Sequence, residues 1–477
     1  MNRPVTPETA DLPPYLTIED GRLHMQGRDL IGLAEERGTP LYVYSAPRIA
    51  ETARAIAAAC RTHHPLARLC FASKALSAIK ILRLIKEAGC LLEVNSGGEL
   101  YRAYRAGFTA DEIAFNGVSK SEAEIVEALS PPVFAINVDS LCELGRIARI
   151  AAALGRPARI ALRMVPDVAS RTSPGNQTGT EATKFGIRQA ELGQALQIVR
   201  ANAAGLELVG LHCHIGSQIL DLSAYVAAAN RMAELFAQVR KELDCPLGHL
   251  NIGGGFPLPY MTSGGDWQSG IFSPKIDYHD ILAAVLPPLR EKLGADVAVL
   301  VEPGRRVVGD AAILLTRVEN EKARPNGTWL YTDAGYNTLV ESYTYKWYYH
   351  CLNAGRPVEP LAPFRLAGPL CDNGDMFHDV EGEQTLARML QSFPALAGER
   401  ATLEKLLVRL PQERWLARST APGDLLAFLN TGAYTLDQMT PNNGRPRPEV
   451  GIIDAVGGYE LLRRRDTYDD LLFNEVV

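Results

Sequence analysis

Between residues 68 and 305, short apolar runs rich in β-branched residues alternate eight times with amphipathic helical stretches, and this alternation restricts the fold more than any other feature. The runs predict strands over Arg68–Ser73, Leu91–Asn95, Glu112–Asn116, Val133–Val138, Arg159–Val165, Leu208–His214, Leu247–Ile252 and Ala298–Glu302. Helical spacing lies between them, for example over Ile79–Ala88, Leu141–Leu154 and Tyr225–Lys241. Eight strand-then-helix units predict an α/β fold built on a (β/α)8 barrel; a doubly wound open sheet is the alternative. The barrel makes its own check, because barrel active sites form at the C-terminal ends of the strands. Polar and glycine-rich residues gather there: Lys74, then Asn95-Ser96-Gly97-Gly98-Glu99, His214-Ile215-Gly216-Ser217, Gly253-Gly254-Gly255 and Glu302-Pro303-Gly304-Arg305.

Past residue 320 the alternation stops. Trp329–Tyr331, Phe364–Ala367, Asp424–Leu429 and Val450–Ala455 are short strand-like pieces separated by Gly and Pro, which predicts a mainly-β C-terminal domain. The expected division is an N-terminal segment, 1–45, that joins the β domain, a barrel over 46–315, and the β domain over 316–477. Within the last, Leu386, Met389, Leu390 and Phe393, then Leu403, Leu406, Leu407 and Leu410, fall at helical spacing. They predict a helical insertion at about 383–413, either packed on the β domain or acting as a lid.

Composition narrows the function. A net charge of −6 with 22% charged residues gives no basic surface for nucleic acid. The apolar runs are strand-sized and too short for a membrane span. Met1 to Pro14 lacks the apolar centre of a signal peptide, so the expected location is cytoplasmic. The eight cysteines include no CxxC pair, and alternation along a strand separates Cys213 from His212 and His214, so no metal site is expected.

Lys74 closes an apolar strand in Phe71-Ala72-Ser73-Lys74-Ala75. Desolvation there favours the neutral amine, the form that makes imines; a snorkelling surface lysine is the plainer reading. Gly253-Gly254-Gly255 offers backbone N–H groups that can approach a phosphate without interference from Cβ, although tight turns use the same residues. His214 and Ser217 add a flat ring and a hydroxyl on the same rim. Glu302 ends an otherwise apolar strand, where an unpaired carboxylate costs several kcal/mol, so it requires either an arginine or a cofactor nitrogen.

Taken in order, these motifs resemble the pyridoxal-phosphate (PLP) decarboxylases of the alanine-racemase fold, and among them the diaminopimelate and ornithine decarboxylases. The shared residues are Phe71-Ala72-Ser73-Lys74-Ala75, Ser96-Gly97-Gly98-Glu99-Leu100, Thr183-Lys184-Phe185-Gly186-Ile187 and Gly210-Leu211-His212-Cys213-His214-Ile215-Gly216-Ser217-Gln218. Asn251-Ile252-Gly253-Gly254-Gly255-Phe256, Glu302-Pro303-Gly304-Arg305, Cys371-Asp372 and Gly432-Ala433-Tyr434 complete the set. The resemblance implies that Lys74 holds PLP as an imine and that His214 stacks on its ring. It implies that Ser217, Gly254, Gly255, Gly304, Arg305 and Tyr434 surround the phosphate, and that Glu302 faces the ring nitrogen. Racemases of this fold place an arginine at that last position, so Glu302 favours decarboxylation. Cys371 matches a cysteine that in relatives enters the site from a partner subunit and helps protonate the carbanion, which implies a homodimer with shared active sites. A regulatory relative or a silent PLP carrier would lack Lys74, Cys371 or the β domain.

The chain departs from diaminopimelate decarboxylases where they read the substrate's distal end. Arg305 and Tyr345 are kept, but the register places Glu341-Ser342 where that family has Arg-Pro, and Asp372 where it has glutamate. Exchanging arginine for glutamate alters the local charge by two, and each pair at about 4 Å is worth on the order of 4 kcal/mol near a surface. Glu341 and Asp372 suit a distal ammonium, so the expected substrate is a small basic diamino acid such as D-lysine or D-ornithine. Meso-diaminopimelate is the alternative if Glu341 points elsewhere and Arg445, for instance, supplies the positive charge.

Overall fold

A computed structural model of the protein describes residues 12–170, 172, 177–260 and 272–476. Residues 1–11 of the expected N-terminal segment lie outside the described residues. The chain forms two units, one made of Ile49–Leu258 and Pro274–Val308, the other of Met1–Arg48, Pro259–Ser273 and Gly309–Val477. Among the described residues no helix is long and apolar enough to cross a membrane.

The first unit is a closed barrel of eight parallel strands: β1 (Arg68–Ala72), β2 (Leu91–Val94), β3 (Ile113–Phe115), β4 (Ala135–Val138), β5 (Ala158–Arg163), β6 (Leu206–His212), β7 (His249–Asn251) and β8 (Ala298–Val301). Each pairs with the next, and β8 closes on β1 through Leu300↔Arg68 and Val301↔Leu69. Strands covered on both faces read as continuous apolar runs, as in Ala298-Val299-Leu300-Val301, rather than as alternating ones. Helices are fixed at their starts by side chains: Ser96 caps Gly97–Ala106 by accepting from Glu99 N, and Ser121 and Glu124 form a capping box on Glu122–Ala128. All eight expected barrel strands are present; seven are shorter than expected, and Leu206–His212 keeps its length but starts two residues earlier. The polar residues that ended the predicted strands, such as Asn95, His214 and Glu302, lie just beyond the ladders.

In the second unit a sheet runs in the order Arg414–Ala417, Leu361–Ala367, Gly327–Thr332, Ala312–Arg324, Leu41–Ser45, Glu449–Ile453, Tyr459–Arg463. Leu425–Leu429 pairs with the first half of Ala312–Arg324 and with Cys351–Asn353. The N-terminal residues join physically: Leu41–Ser45 is hydrogen-bonded between two C-terminal strands. Leu23, Met25, Leu30 and Leu33 pack in one core with Ile313, Leu315 and Leu425. Because Ala312–Arg324 belongs wholly to this sheet, the unit begins before residue 316.

The helical insertion is present as Val380–Ser392, a 3₁₀ turn and Arg400–Leu407. Its apolar stripe is only half used. Leu386 and Leu410 are buried, whereas Phe393 and Leu406 are 60% and 70% exposed.

Candidate active site

The C-terminal end of the barrel carries a layer of polar side chains that only closure of the barrel can assemble. Lys74 lies in a 3₁₀ turn directly after β1, and its Nζ donates to Glu93 Oε2 on β2 at 2.9 Å. Asn116, the residue after β3, donates to Glu93 Oε1 at 2.6 Å and to both oxygens of Glu302 at 3.3 Å. Asn137 of β4 donates in turn to Asn116 Oδ1 at 2.6 Å. Asn251 of β7 donates to Glu302 Oε1 at 2.7 Å, and His212 Nε2 lies 3.2 Å from Glu302 Oε2. Glu93 and Glu302 are both buried.

Their electrostatics differ. Burial pushes the Glu93 carboxyl up to about 7 against the pull of Lys74. Burial also opposes ionisation of Glu302, but His212, Lys74 and the Asn251 amide outweigh it and hold Glu302 well below the usual carboxylate range. Burial lowers His212, so the imidazole meets Glu302 as a neutral N–H donor. The sequence reading offered an arginine as one partner for Glu302. Among the described residues the basic side chain in hydrogen-bond contact with it is His212, not an arginine.

His214 lies past the end of β6. Gly254 N donates to His214 Nδ1 at 3.2 Å, and burial, reinforced by Lys74 and Arg163, pushes the ring down to about 3. It is a neutral, flat surface. The glycine turn after β7 is tight enough to require glycine. A Cβ on Gly254 would fall 2.1 Å from the Glu302 carbonyl oxygen, and one on Gly255 (φ +88°) 2.4 Å from that of Gly216. A Cβ on Gly304 would meet Ala75 Cβ at 2.8 Å. Arg305 is buried, and its Nε donates to Ser217 Oγ at 3.3 Å. The turn's backbone, the Ser217 hydroxyl and the Arg305 guanidinium are suited to a phosphate. Lys74 is suited to an aldehyde and Glu302 to a cationic ring nitrogen. The residues present fit PLP.

The remaining candidates belong to the second unit. Glu341, in the short helix Val340–Thr344, is 3% exposed and accepts from Tyr349 OH at 3.2 Å. Tyr345 is partly exposed. Cys371 and Asp372 lie on an exposed loop between Gly368 and Asp375. Asp375 holds that loop by accepting from Leu370 N at 2.7 Å and Tyr336 N at 2.8 Å. Asn443 Oδ1 accepts from Cys371 N at 2.7 Å. Asp372 accepts from Tyr336 OH at 2.8 Å, which with Gly374 N keeps its carboxyl low, and the Tyr336 ring stacks on Tyr343 at 4.8 Å. Tyr434 is half-buried, with φ +57°, in the turn after Leu425–Leu429. Arg445 donates to Pro369 O at 3.2 Å.

Sequence reasoning missed Glu93, Asn116, Asn137 and Asn251, and saw His212 only as part of a His-Cys-His run. Glu93 carried the signal that marked Glu302, a lone acid in an apolar strand. Among the described residues no cluster of histidine, cysteine and acidic side chains is placed to hold a metal ion.

A barrel with an amine-bearing lysine at its C-terminal mouth, an ionised buried acid, a neutral imidazole and a phosphate-sized glycine turn is the scaffold of a PLP enzyme. Residues 49–309 match the pyridoxal binding domain of the pyridoxal-dependent decarboxylases. The chain is 33% identical over 457 residues to diaminopimelate decarboxylase from Aquifex aeolicus, with 96% of each chain covered. It is 34% identical over 452 residues to that of Neisseria meningitidis serogroup A, with 93% of this chain and 97% of the relative covered. The crystal structure of diaminopimelate decarboxylase from M. jannaschii in complex with L-lysine matches with a TM-score of 0.81 at 29% identity, covering 98% of both chains. The chain belongs to the pyridoxal-dependent decarboxylases. It is an amino-acid carboxy-lyase with PLP as its cofactor.

Proposed function

We propose that the substrate is a basic diamino acid without a second carboxylate, such as D-lysine or D-ornithine, decarboxylated to the diamine. The observation that carries this reading is Glu341. By the sequence register, Glu341, a buried acid with Tyr349 as a donor, falls where diaminopimelate decarboxylases carry an arginine. A buried carboxylate is stabilised by a partner cation and repels a distal carboxylate. Asp372, also acidic, reinforces the preference, and Arg305 and Tyr345 complete the residues assigned to the substrate.

When bound, PLP supplies a cationic ring that takes up the electron pair left as CO2 departs. In this reading Lys74 would hold the cofactor's aldehyde carbon, and Glu302 would hold a proton on the ring nitrogen. The neutral His214 ring would pack against the cofactor. Ser217, Gly254, Gly255, Gly304, Arg305 and Tyr434 bind the phosphate. Holding the ring still lets substrate binding align the scissile bond. Cys371, contributed by a partner subunit of a homodimer, returns a proton to Cα from its Sγ.

Conversion of meso-diaminopimelate to L-lysine is the second reading, favoured by the diaminopimelate decarboxylases that are about one-third identical along nearly the whole chain. A CO2-release assay over the stereoisomers of lysine, ornithine and diaminopimelate separates the two. Turnover of D-lysine or D-ornithine above meso-diaminopimelate supports the proposal. Preference for meso-diaminopimelate overturns it.

A further inference from the structure

The opposite mouth of the barrel, where the strands begin, holds a cavity of about 370 Å³ lined by residues of six of the eight strands and by Phe134, just before β4. That volume is in the range of a small-molecule site. His249, the first residue of β7, lines it. The side chain is 97% buried and makes no hydrogen bond with any described residue, although its ring packs against Phe134 at 5.0 Å. Its ring nitrogens are not fully enclosed by protein and keep access to the cavity, where a ligand or solvent can meet them. The backbone makes room for the ring: a Cβ on Gly210 would fall 2.6 Å from His249 Cε1.

Two arginines border the same cavity. Arg68, which opens β1, has no ion-pair partner among the described residues, and Arg159 on β5 meets Glu207 only at 4.0 Å while its guanidinium lies over the Phe134 ring at 5.4 Å. With a neutral imidazole the lining carries two positive charges and one negative. The remainder of the wall, including Val209 and Leu300, is apolar.

We infer that this mouth of the barrel binds a small monocarboxylate with an apolar or aromatic body. The carboxylate pairs with Arg68 and Arg159, and the body lies on Phe134 and Val209 beside the His249 ring. An inorganic anion would leave the apolar wall unused, and a neutral hydrocarbon would not engage the two arginines.

The probe is 4-fluorobenzoate, titrated into the PLP-loaded enzyme and followed by ¹⁹F NMR. Saturable binding is expected, with a dissociation constant on the order of 1 mM or tighter. Arg68→Glu and Arg159→Gln should each weaken it by about tenfold or more, the value of one partly exposed charge contact, and leave kcat and KM of decarboxylation unaltered. Unaltered turnover also reports that the variants fold. The neutral 4-fluorobenzamide should bind at least about tenfold more weakly than the acid. No saturable binding, or binding that either arginine variant leaves unchanged, overturns the proposal.

Discussion

The two mouths of the barrel are built from the same strands and are chemically opposite. At the C-terminal mouth, Glu93, Asn116, Asn137, His212, Asn251 and Glu302 form one hydrogen-bonded layer, with Lys74 at its edge. Toward the N-terminal mouth the strands offer Ala135, Ala161 and Val209 with Phe134 packed on them, and His249 is the buried polar group bordering its cavity. A parallel barrel imposes this asymmetry, because loops leaving the C-terminal ends of all strands converge and can carry reactive groups. The charge layer is costly to bury and persists because both of its carboxylates are paired, although Asn137 Oδ1 and His212 Nδ1 have no partner among the described residues.

Breaking the layer at its reactive edge gives the largest expected effect. Lys74→Ala should remove covalent PLP attachment, read as loss of the visible cofactor band and of borohydride-reducible label. Decarboxylation should fall on the order of 10⁴-fold or more. Retention of a reducible adduct in this variant would remove Lys74 from its assigned role. Glu302→Gln keeps the shape and removes the charge. A loss of about 10²–10³-fold in kcat is expected, with KM changed far less, because the charge matters most as electrons move into the ring. An equal loss in a variant that alters only packing, such as Val301→Ala, would show that Glu302 acts through structure rather than charge.

Lys74, the glycine turn and Glu302 were legible in the sequence because each is a polar or glycine-rich interruption at the end of an apolar run. The layer that holds them was not. Glu93 and Asn116 are 23 residues apart on paired neighbouring strands, but Asn116 and Glu302 are 186 apart and meet only once β8 has closed on β1. The β unit was less legible still. Ala312–Arg324 begins as an apolar strand and ends in an exposed charged hairpin arm, so its pattern changes partway along, and Leu41–Ser45 is recruited from far up the chain. In the insertion, helical spacing identified the helices, but Phe393 and Leu406 are exposed, since spacing reports periodicity and not which neighbours will cover it.

The second unit has a buried acid of its own, which sharpens the contrast. Glu302 is held ionised by donors from several strands, whereas Glu341 sits in a short helix, with the Tyr349 hydroxyl among its partners. If Glu341 reads a distal ammonium, Glu341→Arg should shift the ratio of D-lysine to meso-diaminopimelate turnover by about tenfold or more toward the latter, since about 1.4 kcal/mol suffices. Because this reversal places an arginine in a buried position, Glu341→Gln is the milder companion. It should weaken D-lysine in KM without favouring diaminopimelate. An unmoved preference in both would separate Glu341 from substrate choice.

The smallest effect comes from a feature the two mouths share, a histidine kept neutral by burial. His214 at one mouth and His249 at the other are each pushed down to about 3. In the unfolded chain each titrates near 6.5. Between pH 6.5 and 3 the unfolded state therefore binds more protons than the folded one, and stability is lost as pH falls through that window. At pH 5 each histidine accounts for about 2 kcal/mol of that loss. Glu93 works in the opposite sense. Its raised carboxyl is protonated in the fold when the unfolded chain has already ionised, so its contribution weakens the fold as pH rises from about 4.5 to about 7. Urea unfolding of the PLP-free protein at pH 7 and pH 5 checks the balance. His249→Gln and His214→Gln should each reduce the difference between the two pH values by about 1–2 kcal/mol, and a difference unchanged from that of the parent would mean that neither imidazole is held neutral.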